Sequence, residues 1–200
     1  MPIKILDTRP HPWGDYGDVL VHGMADAQGR AADGALELER TGPFVPPITF
    51  PGIPAIVVSD DFRRQLEPSG LTGFTFRLVR KTRIVLLEWH SWDQHTPEPL
   101  EFPDSGEPED YVLQRPHDPK VAEAMGPLWE VALSPGVTVQ RERAPTPANR
   151  DLLYVLERTW SGADVFLADG VGYIYASERA QDWFLKTVPD WVSLRDCLLR

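Results

Sequence analysis

Two hundred residues, 42% of them apolar and including seven Trp and eight Phe, are enough to bury a core and argue against disorder. A formal charge of −10 disfavours nucleic acid, whose phosphates would be repelled, and suits a basic protein partner. The lone cysteine, Cys197, excludes disulfides within the chain and Cys-rich zinc sites, fits a reducing cytoplasm, and reads as a small buried hydrophobe.

The N-terminal stretch Met1-Pro2-Ile3-Lys4-Ile5-Leu6-Asp7 has no apolar run fit for a signal peptide, and no segment reads as membrane-spanning, so a cytoplasmic protein is expected. Residues 3–7 and 18–24 read as short strands joined by an aromatic turn at 10–15, and the Ala/Gly/Asp-rich 25–34 as a loop. Residues 36–40 read as a strand and the Pro-rich 43–54 as a connection. The apolar run 55–58 has the character of a strand buried on both faces.

Residues 59–67 then predict a helix. Ser59 caps it, Asp60 and Asp61 favour its positive end, Phe62 and Leu66 share a face, and Pro68 and Gly70 stop it. Strands follow at 74–79 and 83–89. The stretch 98–110 carries six acids and no Lys or Arg, and its prolines mark it as a loop. Residues 120–125 read as a helix able to continue to Leu133 across Gly126-Pro127, and 137–143 as an alternating strand. Strand 171–176, cap Ser177, helix 179–186, breaker Pro189 and strand 191–194 complete the chain.

This last grammar repeats an earlier one. Leu38-Glu39-Arg40-Thr41 returns letter for letter as Leu156-Glu157-Arg158-Thr159, and at the same offset Gly52 falls on Gly170, Ile56 on Ile174, Ser59 on Ser177 and Arg77 on Arg195. The chain therefore reads as one α+β domain on an internal duplication, about 36–80 and 154–197, with an acidic loop and helix inserted at about 94–145. Two strand–helix–strand units on a mixed, mainly antiparallel sheet are expected, with long Pro-rich loops.

Chemistry is sparse. His90, Asp93 and His95 offer three ligands in six residues, and a metal-dependent hydrolase built on them is one reading; positions 93 and 95 share a strand face but 90 does not, so convergence requires a bulge. No nucleophile elbow and no phosphate-binding glycine motif occurs. Glu39 and Glu157 could pair as acid and base across a pseudo-twofold, or each could meet an arginine. Arg77, Arg80, Lys81 and Arg83 read as a solvated strand face. The best surface for recognition is the acidic loop: Glu98, Glu101, Asp104, Glu107, Glu109 and Asp110 form a rim around the aromatics Phe102 and Tyr111.

The two copies, read from Leu38 through Phe76 and from Leu156 through Gly172-Tyr173-Ile174-Tyr175-Ala176-Ser177-Glu178-Arg179-Ala180, resemble bacterial polymorphic-toxin immunity proteins of the myxobacterial double-CXXCG family. The resemblance covers about half the chain, and the family's zinc-binding Cys-x-x-Cys-Gly pairs are absent. It implies a cytoplasmic protein without catalysis of its own that neutralises a cognate toxin; the acidic surface suits a basic, nuclease-like one, and with the Cys pairs absent no cofactor is expected. It also implies a branch in which packing, through Trp89, Trp92 and Trp129, replaces the metal. A structural adaptor without a toxin is the third reading.

Overall fold

The computed structural model describes residues 3–11, 13–26, 30–52, 54–87, 103–143, 152–169 and 171–200, and is an α+β fold. From the N-terminus run β1 (Lys4–Thr8), α1 (Gly14–His22), β2 (Glu37–Gly42), β3 (Ile48–Gly52), β4 (Ala55–Ser59), α2 (Asp60–Leu66), β5 (Phe74–Leu78) and β6 (Arg80–Leu86). Then come α3 (Asp110–Leu113), α4 (Pro119–Ala124), β7 (Leu128–Leu133), β8 (Pro135–Glu142), β9 (Leu152–Val155), β10 (Val165–Asp169), β11 (Val171–Ala176), α5 (Glu178–Thr187), β12 (Val192–Asp196) and β13 (Leu198–Leu199).

Two strand–helix–strand units are built alike in space. One sheet has the order β3-β4-β7-β5, and the larger one begins β12-β1-β11-β10 before running on through β8, β9 and β13. Each copy is thus a hairpin, a helix and a returning strand, with a strand from elsewhere inserted antiparallel between the second and last. The register agrees residue for residue. Lys4 opposes Ala176 and Asp196 as Trp129 opposes Val58 and Leu78, and Leu6 opposes Leu194 as Val131 opposes Phe76.

Both helices start as expected: the Ser59 hydroxyl accepts from the Phe62 amide and that of Ser177 from the Ala180 amide, each at 3.3 Å. Their apolar faces enter one core. Ile56, Val58, Phe62, Leu66 and Val131 of the first sheet's layer pack in the same cluster as Ile174, Ala176, Ala180, Phe184 and Leu6 of the second. Each large side chain buried there contributes about 1.5–3 kcal/mol.

Four expectations fail. Residues 18–24 are not a strand but the end of α1, which buries Tyr16, Gly17, Leu20 and Val21 on one helical face. The Pro-rich 43–54 contains β3, whose Thr49 hydroxyl and strand pairing bind it to β4. The helix at 120–125 ends at Gly126, which adopts φ +68°, and 128–133 is instead β7. The letter-identical segments differ most: Leu38, Arg40 and Thr41 are buried in β2, whereas 157–159 is an exposed 3-10 turn.

Candidate functional site

The reason for that divergence lies at the C-terminal end of α1. Thr41 Oγ donates to the Leu20 carbonyl at 2.6 Å, and the buried Arg40 guanidinium donates to the carbonyls of Val21 and Phe44 at 3.0 and 3.3 Å. The free carbonyls of a helix end attract a cation. Arg40 meets no carboxylate there among the described residues, and burial pulls its pKa down to about 9. Gly23, at φ +78°, is needed beside it, since a Cβ there would lie 2.6 Å from that of Arg40. Among the described residues the second copy has no helix in this position for the same four letters to clamp.

Beside α1 lies a cluster that local patterns do not reveal, because the two histidines are distant in sequence and meet only through the fold. The rings of His11 and His22 are 6.1 Å apart, and both are buried. His22 Nε2 lies 2.7 Å from Thr8 Oγ1, an arrangement that could suggest an activated hydroxyl. The other nitrogen decides otherwise. His22 Nδ1 faces the Phe50 amide at 3.4 Å, and an amide can only donate. The proton therefore sits on Nε2 and points at Thr8, whose own hydroxyl donates to the Arg9 carbonyl at 3.1 Å. Burial first, then the neighbouring His11 and Arg40, hold the His22 pKa down at about 3. This imidazole is a neutral donor and cannot act as base toward Thr8.

Asp164 is the other concentrated polar centre. It accepts from Ser177 Oγ and from the amide and hydroxyl of Thr72, each at 2.8 Å, and pairs with Arg179. Burial would raise its pKa, but the Arg179, Ser177 and Thr72 donors outweigh burial and hold it well below the usual carboxylate range. Thr72 belongs to one copy and Asp164 to the other, so the cluster is a joint. Ser177 caps α5 here, and the carboxylate its hydroxyl reaches is a weak base because its other donors hold it ionised.

The acidic arm is different in kind. Glu98, Glu101 and Phe102 lie outside the described residues, as do His90, Asp93 and His95. Of the remainder, Asp104, Glu107 and Glu109 are exposed and Asp110 is half-exposed at the start of α3. Tyr111 is corrected: it is 2% exposed, packed edge-on against Tyr16, and serves as an anchor into the core rather than a contact for a partner. Among the arm's described residues the exposed large apolar side chain is Leu113. The arm is pinned from below. Arg83 donates to the carbonyls of Leu113 and Arg115, and Arg115 lies 3.7 Å over the Tyr111 ring and donates to its carbonyl. Arg83 also pairs through Nε with Glu39, the Glu–Arg contact weighed for that residue.

Behind the arm opens a cleft of about 500 Å³ lined by Leu86, Arg115, His117 and Lys120, where His117 Nδ1 accepts from the Ile84 amide at 2.9 Å and so covers the edge of β6. Among the described residues no three His, Cys, Asp or Glu are placed to hold a metal ion, and no helix is long and apolar enough to cross a membrane. Cys197 is half-buried and donates to the Ile3 carbonyl, and burial raises its thiol pKa, away from thiolate chemistry.

No family model, curated protein or solved structure matches the chain.

Proposed function

We propose that this chain is a non-catalytic, immunity-type binding protein that neutralises a cognate bacterial toxin by presenting the acidic arm to a basic face of it, in the cytoplasm. The observation that carries the reading is a gathering of unpaired carboxylates on one short arm. Many others are matched within the molecule, Asp7 with Arg195, Asp33 with Arg80, Glu39 with Arg83, Asp60 with Arg64 and Asp190 with Arg9, while Asp15, Glu123, Asp169, Glu178 and Asp182 are exposed and in no ion pair with a described residue. Asp104, Glu107 and Glu109 form no ion pair with any described residue, although Arg83 and Arg115 lie just beneath.

Exposed like charges on a rigid base cost stability and gain from an external cation. They steer a basic partner and lose that effect with salt. Leu113 adds an apolar contact inside the rim. The resemblance to toxin-immunity proteins supports the same reading, as do the proton on His22 Nε2 and the saturated Asp164, which leave neither centre fit for acid–base work.

The test is a search of the adjacent genes for a secreted protein with a basic C-terminal domain, followed by co-expression of that domain with this chain. Rescue of growth and a stable purified complex are expected; failure of both would reject immunity.

A further inference from the structure

We propose that β1 is an exchangeable arm, and that two copies of this chain form a dimer by inserting β1 of each into the β11–β12 slot of the other. The inference is independent of any toxin.

Three observations support it. First, β1 precedes every other described element, yet pairs on both edges with strands from the far end of the chain, while α1, which follows it, packs on β2 and β3. Only residues 9–13 connect β1 to α1. Second, the molecule builds this kind of slot twice. β1 fills the space between β11 and β12, and β7 that between β4 and β5, at matching register, and each comes from outside the strand–helix–strand unit it completes. A slot that takes its central strand from another unit is a donor-strand site.

Third, a side chain of the connection is left unsatisfied when closed. Arg9-Pro10-His11-Pro12-Trp13 is short and holds two prolines, and both ring nitrogens of His11 are buried without a hydrogen-bond partner among the described residues. Extending this hinge gives water to His11. Short hinges favour exchange. The contacts that hold β1 are unchanged by its origin: Lys4 to Asp196, Arg195 to Asp7, and Ser193 Oγ to the Thr8 carbonyl.

The experiment refolds two differently tagged copies of the full chain together, over a range of concentrations, and separates monomer from dimer by size. A parallel preparation carries Lys4→Cys and Asp196→Cys, opposed in the β1–β12 register, with Cys197→Ser. Intramolecular closure competes as a fixed effective concentration, so a tenfold rise in protein should raise the dimer-to-monomer ratio about tenfold. Oxidation should then link chains covalently in the dimer and within one chain in the monomer. Monomer alone at every concentration overturns the proposal. So does a dimer in which the new cysteines bridge only within a chain.

Discussion

At the scale of single residues, His22 makes a claim about pH. Its folded pKa, about 3, lies below the ordinary 6.5, so the unfolded chain binds more protons in between. Stability is therefore intact above about pH 6.5 and falls as the pH drops toward 3, by at most about 1.4 kcal/mol per pH unit from this group. Burial lowers the pKa of His11 too and adds in the same direction. Denaturant unfolding across pH should show this slope, and His22→Gln should flatten it; an unchanged slope would place the acid sensitivity elsewhere. Asp164 acts at lower pH with the opposite residue type, since a depressed carboxylate stabilises above its unfolded pKa and loses that contribution only as the pH falls through the folded one. Asp164→Ala strands the buried donors of Thr72 and Ser177 and should cost about 3–5 kcal/mol, against about 1 kcal/mol for Ser59→Ala, a cap alone. Equal losses would mean that the joint between the copies adds nothing.

At the scale of elements, what sequence patterns revealed was local. The strand 55–58, its capped helix, and their second copies needed only side chains a few residues apart, and each was in place. What they concealed was decided by distant partners. Val19-Leu20-Val21 has strand character, but packing against β2 and the Arg40–Thr41 clamp hold it helical. Ile48-Thr49-Phe50 looks like a gap between prolines until β4 pairs with it, and β7 is a strand because β4 and β5 lie on either side. The candidate site was legible in its charge but not in its anchor, since an aromatic beside acids carries no mark of which way it points. Gly73 tests the seam between the sheets. It sits at φ +101° with the Val165 carbonyl 2.1 Å from where a Cβ would be, whereas Gly70, at φ +74°, has open space. Gly73→Ala should cost about 3 kcal/mol or more and Gly70→Ala about 1 kcal/mol, read from urea midpoints.

At the scale of the whole molecule, the duplication supplies a scaffold and the unshared parts supply recognition. The two copies share one core and each takes a central strand from outside its own unit, while the acidic arm belongs to neither and stands where charge is unbalanced. Reversing that charge should leave the fold alone, because the arm's carboxylates pair with no described cation; Asp104→Lys, Glu107→Lys and Glu109→Lys together should shift unfolding by no more than about 0.5 kcal/mol per site. The same triple variant gives the most direct measurement of the central claim. Calorimetric titration against the basic toxin domain, at low and high salt, should show a one-to-one complex that weakens with salt, and the reversal should weaken it by about tenfold or more and reduce that salt dependence. A complex of unchanged affinity in the triple variant, or one indifferent to salt, would contradict it.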